Sequence, residues 1–268
     1  MAKEFSIVVC GSPGVGKSTL VNALCGRSVA NVSSSLNSQT KEIGKYHLEQ
    51  TDPTNATQNS ITIYDTPGIE SWTERDVRIF FSQIMEETKP VCMIYCASPG
   101  SFAPLSQLQW LFDTCIQSKI FCALVCTNKF TGGGEKRQQV LQDFHSCLSR
   151  FHAMTREENR IKYYGDVALC TSVNSIVYED TELGVRREVE GIHELIFGIL
   201  TSLKDERAVG WCYTIVDNEP FWIAMQEQLM RFYNIAQPAV GQFLRAHGKD
   251  IAKQLLPLIF AVITNKQK

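Results

Sequence analysis

The sequence predicts an α/β fold, a three-layer sandwich with helices on both faces of a mostly parallel sheet, one antiparallel edge strand, and a helical extension at the C-terminus. Three observations carry this. Short apolar runs alternate with helix-patterned segments as far as about residue 203, the order that parallel strands with crossover helices require. Residues 11–18, GSPGVGKS, lie between the first apolar run and the first helical pattern and fill Gly-x-x-x-x-Gly-Lys-Ser/Thr at every fixed position. From Lys204 the alternation stops and only helical material follows. Residues 1–203 are therefore expected as a nucleotide-binding domain and 204–268 as the extension.

Residues 4–10, EFSIVVC, read as the first strand, and residues 19–25, TLVNALC, as the first helix. Between them Gly11, Gly14 and Gly16 let the backbone wrap closely and turn its N–H groups toward a phosphate chain. The expected contact set runs through Gly11, Ser12, Pro13, Gly14, Val15, Gly16, Lys17, Ser18 and Thr19. Lys17 is expected to reach the β- and γ-phosphates, and the Ser18 hydroxyl to ligate a magnesium ion. The helix that starts there adds the positive end of its dipole. This motif turns the α/β prediction into a P-loop NTPase sandwich.

Residues 28–39 are too polar to be core. Residues 41–50 alternate weakly and are joined by a turn-rich segment, 51–60, to the apolar run 61–64, which reads as an antiparallel hairpin at a sheet edge. Residues 91–96 and 120–126 are continuous apolar runs, the pattern of central strands buried on both faces. Between them Leu105, Leu108, Leu111, Phe112, Cys115 and Ile116 recur at helical spacing. Residues 167–170 supply a last strand, and Ile192, Leu195, Ile196, Ile199, Leu200 and Leu203 mark an amphipathic helix. In the extension, residues 221–235 form a candidate helix, Pro238 and Gly248 mark breaks, and residues 251–264 form a final apolar helix containing Pro257. That helix is short for a membrane span; packing on the domain or in a self-association interface is expected, with membrane contact as the second placement.

A net charge of −2 gives no basic excess for a nucleic-acid surface. The chain enters its first strand within a few residues of Met1, so no leader is expected. The ten cysteines fall mostly inside apolar strands (Cys10, Cys92, Cys96, Cys122, Cys126, Cys170) and none forms a Cys-x-x-Cys pair, which fits buried thiols in a reducing cytoplasm.

Asp65-Thr-Pro-Gly68 directly follows the apolar run 61–64, placing a carboxylate at a strand's C-terminal edge beside the phosphate loop. Asp65 can hold the magnesium through water, and Gly68 leaves its N–H open to a γ-phosphate. With these motifs together, residues 4–203 resemble the translation-factor-related (TRAFAC) class of phosphate-loop GTPases, and within it the Era-like and the septin and immunity-associated (GIMAP-type) branches. The resemblance implies GTP as ligand and substrate, Lys17 and Thr40 as catalytic side chains, and Ser18, Thr40 and Asp65 around the metal. Thr51 and Thr54 are rivals for the place of Thr40. The resemblance also gives Asn128 a bond to guanine N7, lays Lys129 along the base, and assigns Ser172 and Val173 to the backbone contacts that complete the base pocket.

Three departures accompany it. The family's base-reading aspartate is replaced by Thr131, whose hydroxyl cannot accept two charge-assisted bonds from guanine. This leaves open the choice between GTP and ATP, with Glu135 as an alternative carboxylate. Ile69 stands where many relatives carry a water-orienting glutamine, and Gly14 where some carry a potassium-binding asparagine. The implied function is a GTPase switch, slow unless a protein effector or self-association stimulates it. The alternatives are a nucleotide-binding assembly module and an ATP-using enzyme.

Overall fold

The computed structural model describes residues 3–30, 43–52, 57–66, 73–101, 105–235 and 251–265. Thr40, Thr54, Gly68, Ile69, Pro238 and Gly248 lie outside them, as does most of the polar segment 28–39.

The order begins β1 (Glu4–Gly11), α1 (Lys17–Cys25), β2 (Gly44–Thr51), β3 (Gln58–Asp65), α2 (Glu74–Glu87), β4 (Lys89–Ala97), α3 (Leu105–Gln117), β5 (Phe121–Cys126) and α4 (Gly134–Leu148). It continues with β6 (Arg156–Glu158), β7 (Ile161–Tyr164), β8 (Ala168–Ser172), β9 (Tyr178–Asp180), β10 (Val185–Arg187) and α5 (Ile192–Ser202). Then come α6 (Asp205–Thr214), α7 (Glu219–Phe232) and α8 (Ile251–Asn265). Eight strands form one sheet in the order β2-β3-β1-β4-β5-β8-β7-β6. The five central strands are parallel, and β2 pairs antiparallel with β3, so the expected hairpin edge is present. The opposite edge adds β7 and β6, each antiparallel to its neighbour, beyond the single antiparallel edge strand expected. These strands carry Lys162, Arg156, Glu157 and Glu158, too much charge for a pattern of apolar runs to detect.

The pleat divides the core into two layers. Phe5, Ile7 and Val9 of β1, Ile94 of β4 and Val125 of β5 face one cluster, with α1, α5 and the tail helices. Val8, Cys10, Met93, Tyr95 and Leu124 face the other, with α2, α3 and α4. The reason is the two-residue period of a strand: an all-apolar run feeds both faces at once. Leu108, Leu111, Phe112 and Cys115 of α3 are buried as their spacing required. Helix α2 has a capping box in which Thr73 and Asp76 satisfy each other's backbone N–H groups.

The tail shares the first of these cores. Trp211, Phe221, Trp222, Leu255, Ile259 and Phe260 are buried in the cluster that holds Phe5, Val91 and Leu24. Gly210 of α6 touches the sheet so closely that a Cβ there would stand 2.6 Å from the Phe5 ring and 2.8 Å from Val91. Asn218, the N-cap of α7, donates to the carbonyls of Ala23 and Leu24 at 2.9 Å, so it also closes the C-terminus of α1. None of the described helices is long and apolar enough to cross a membrane.

Candidate phosphate- and base-binding site

The C-terminal ends of the parallel strands gather the candidate residues. The 11–18 segment leaves β1 in a tight turn with Gly11, Gly14 and Gly16 all at positive φ (139°, 74° and 85°). At Gly11 the requirement is also steric, since a Cβ would come within 2.0 Å of the Cys96 carbonyl oxygen. Ser12 and Val15 are buried, Pro13 and Gly14 exposed, and Thr19 half-buried on the first turn of α1. Thr127, at the end of β5, pins the loop from behind by donating to the carbonyls of Val15 (2.5 Å) and Ala97 (3.0 Å).

Lys17 Nζ donates to the carbonyls of Gly11 at 3.1 Å and Ser12 at 3.0 Å, which holds its ammonium across the loop. Ser18 Oγ donates to Asp65 Oδ2 at 2.8 Å. Asp65 sits at the end of β3, in register with Val9 of β1. Burial raises its pKa above the ordinary carboxylate value, while the Ser18 bond and the Lys17 charge pull it back down. Its Oδ1 is buried with no partner among the described residues. A hydroxyl beside a carboxylate with one buried oxygen unsatisfied is a hard-oxygen donor set, which suits magnesium. Ser18 and Asp65 are the described residues that would hold it; the metal-holding and catalytic part given to Thr40, and the γ-phosphate contact of Gly68, fall outside the description.

The residues expected to take the base lie at the ends of β5 and β8. Asn128 has φ 47°, and its side chain lies against the phosphate loop, with Oδ1 3.4 Å from where a Gly16 Cβ would be. Val173 N–H donates to the Cys126 carbonyl at 2.8 Å and Lys129 N–H to the Val173 carbonyl at 3.3 Å, joining the two loops. A cavity of ≈ 260 Å³ opens there, lined by Lys129, Thr171, Ser172, Glu190, Gly191 and Glu194, with Asn159 and Arg160 at its side. Thr131 is exposed and closes a turn onto the Asn128 carbonyl at 2.8 Å, and neither it nor Glu135 lines that cavity.

A carboxylate that no sequence motif marks, Glu190, also lines this cavity. Lys129 has a side chain 6 % exposed, and its Nζ pairs with Glu190 Oε1 at 2.9 Å. Arg160 pairs with the same oxygen. Lys129, then Arg160, hold the Glu190 carboxyl below the usual range. Glu190 reaches this place because Asn174 and Glu190 exchange backbone hydrogen bonds of 2.8 and 3.0 Å, closing off the β9–β10 hairpin. Gly191, at φ 85°, then turns the chain into α5 hard against the Ser172 carbonyl, 2.8 Å from where its Cβ would be. No local pattern marks Glu190; only the fold brings it beside Lys129.

Residues 6–126, a little under half of the chain, match the family model described as a 50S ribosome-binding GTPase. No curated protein is similar enough to count as a relative. Among solved structures, Era of Aquifex aeolicus bound to GDP·AlF4⁻ is similar at 18% identity and TM-score 0.47, over 76% of this chain and 58% of that one. The septin GTPase domain from Chlamydomonas reinhardtii is similar at 16% identity and TM-score 0.36, over 59% of this chain and 65% of that one. Translation elongation factor SelB from Methanococcus maripaludis, in complex with a GTP analogue, matches at 13% identity and TM-score 0.40, over 65% of this chain and 30% of that one. The chain thus spans between about a third and two thirds of the length of these proteins.

Proposed function

We propose that the chain carries a phosphate-loop GTPase domain of the translation-factor-related class, a reading supported by the GTPase family model over residues 6–126, and that it works as a magnesium-dependent switch that binds GTP and slowly hydrolyses it to GDP and phosphate. The observation that carries this reading is the joint placement of Lys17 across the loop and of Ser18 on Asp65. Loop N–H groups and the α1 dipole neutralise phosphate oxygens. Lys17 swings from the loop carbonyls to the β- and γ-phosphates, where charge builds as the terminal phosphoryl leaves. Ser18 and Asp65 would hold a magnesium ion, which would supply positive charge to offset that of the phosphates. Thr40 completes that shell and Gly68 N–H meets the γ-phosphate in this reading. Asn128, Lys129, Ser172 and Val173 take the base.

Slow turnover follows from Ile69, whose apolar side chain cannot orient a water, and stimulation then falls to a protein effector or to a second copy. A partner surface is supported by the β9–β10 hairpin region next to the base cavity, where Ile176, Val177, Leu183 and Val189 are exposed. That patch also supports the second reading, an assembly module with little hydrolysis. We place the protein in the cytoplasm, because ten buried free thiols suit a reducing compartment.

The test is the nucleotide that co-purifies, read by chromatography after denaturation, followed by single-turnover phosphate release with the full chain. Guanine nucleotide with slow, magnesium-dependent release supports the switch. Binding without release over hours supports the assembly module. Adenine nucleotide alone overturns the GTP switch.

A further inference from the structure

We propose that Glu190 supplies the carboxylate that reads the guanine base, in place of the aspartate that Thr131 replaces; this deepens the GTP reading above and rests on it. A guanine presents N1–H and the N2 amino group side by side, and a carboxylate facing that edge accepts both. Adenine offers a lone pair at N1 and a C–H at C2, so the same carboxylate repels it. The base cavity of this chain therefore needs an ionised carboxylate on its wall, and Glu190 is one.

Four observations single it out. Glu190 lines the cavity together with Lys129, Thr171 and Ser172. Lys129, nearly buried, and Arg160 both pair with its Oε1, which leaves Oε2 without a partner among the described residues. Those two cations keep the group charged, as an acceptor of two bonds must be. Its backbone is fixed on both sides, by the Asn174 exchange and by the Gly191 turn against Ser172, so the carboxylate is held in place before a ligand arrives. The rivals do less: Thr131 and Glu135 lie outside the cavity lining, and Glu194 lines it but forms no ion pair among the described residues.

The experiment is competition binding on the full chain with GTP, ITP, XTP and ATP against a fluorescent GDP, in magnesium buffer. Wild type should prefer GTP over ITP, which lacks the N2 amino group, and over ATP, by about 10- to 150-fold for one charge-assisted bond. Glu190→Gln should erase the GTP preference by a similar factor. It should also favour XTP, because the amide N–H₂ then meets the xanthine O2. The wild-type ratio needs no variant, so misfolding of Glu190→Gln cannot shield the idea. A wild type that binds triphosphates through its phosphate loop but ranks GTP with ITP overturns this inference and leaves the phosphate site standing. A preference that survives Glu190→Gln, or that moves with Glu194→Gln instead, also overturns it. A wild type that binds no nucleotide removes the GTP reading itself.

Discussion

The Ser18 hydroxyl donates to Asp65 Oδ2 across 2.8 Å and so ties the first turn of α1 to the end of β3. Two segments 47 residues apart in sequence meet at one potential metal position. Ser18→Ala removes the donor that the buried Asp65 carboxylate has among the described residues, and the protein without nucleotide should lose about 1–3 kcal/mol. The same variant should need much more magnesium to reach half-maximal nucleotide binding. Denaturant melts and a magnesium titration check the two halves separately; a variant with unchanged magnesium dependence removes Ser18 from the metal.

Asp65 also sets a pH dependence. Burial raises its folded-state pKa above the unfolded value, so its contribution to stability is fully present below the unfolded pKa and lost as pH rises through the folded one. Asp65→Asn should therefore be the more stable protein at neutral pH, with the gap closing as pH falls into the acid range. Magnesium affinity of the wild type should drop over the same window, starting above the pH at which an ordinary carboxylate protonates. Paired melts across pH 4 to 8, roughly the window where such shifts act, decide it; a gap that widens toward acid reverses the sign and refutes the burial argument.

Lys17→Ala should abolish nucleotide binding while leaving the fold intact. Among the described residues its ammonium bonds the carbonyls of Gly11 and Ser12, at 3.1 and 3.0 Å, and the side chain is half-buried and not part of either apolar core cluster. Calorimetric titration with GTP, alongside circular dichroism, is the check. Near-normal affinity in a folded variant would move the phosphate site elsewhere.

The phosphate loop and the central strands were legible in the sequence because their signals are local. Residues 11–18 carry a fixed spacing, and residues 91–96 and 120–126 are unbroken apolar runs that must be buried on both faces. The edge strands β6 and β7 were not, since a charged edge strand alternates too weakly to stand out from a loop. Helices α2 and α4 passed unmarked for a related reason: each buries only four residues and is polar elsewhere. Asn128 and Lys129 stand in a recognisable box just after β5, whereas Glu190, which lines the same cavity as Lys129, lies 18 residues past Ser172, behind a hairpin. Its position depends on the Asn174 backbone exchange, a long-range event with no local trace. The same limit applies to the tail, where apolar helices were visible but not the surface they cover.

All ten cysteines are free and buried. Desolvation pushes the Cys96 and Cys126 thiols up to about 12 and Cys170 up to about 11. A thiol that does not ionise is a poor nucleophile. The native protein should therefore react with a disulfide reagent only on the timescale of unfolding, and all ten thiols should titrate at once in denaturant. A fast-reacting fraction in the native state would mean that a strand or helix face carrying one of these thiols is open to solvent.

The tail helices should be inseparable from the sheet, and Gly210 is the sharpest place to ask. A methyl group added there stands 2.6 Å from the Phe5 ring and 2.8 Å from Val91, closer than carbon atoms approach. Gly210→Ala should cost about 1–3 kcal/mol by overpacking, and Gly210→Val more. Trp211, fully buried with its indole N–H donating to the Ile196 carbonyl at 3.1 Å, should cost about 3–5 kcal/mol as Trp211→Ala. Truncation after Ser202 removes both helix α6 and the Asn218 side chain that closes α1 at Ala23 and Leu24. It also bares Phe5 and Val91 on the sheet face. Such a fragment should be aggregated or unfolded and should lose GTP binding, because α1 carries Lys17 and Ser18. A monomeric fragment with full-length affinity, alongside a Gly210→Ala protein of unchanged stability, would make the tail a detachable appendage and not a wall of the domain.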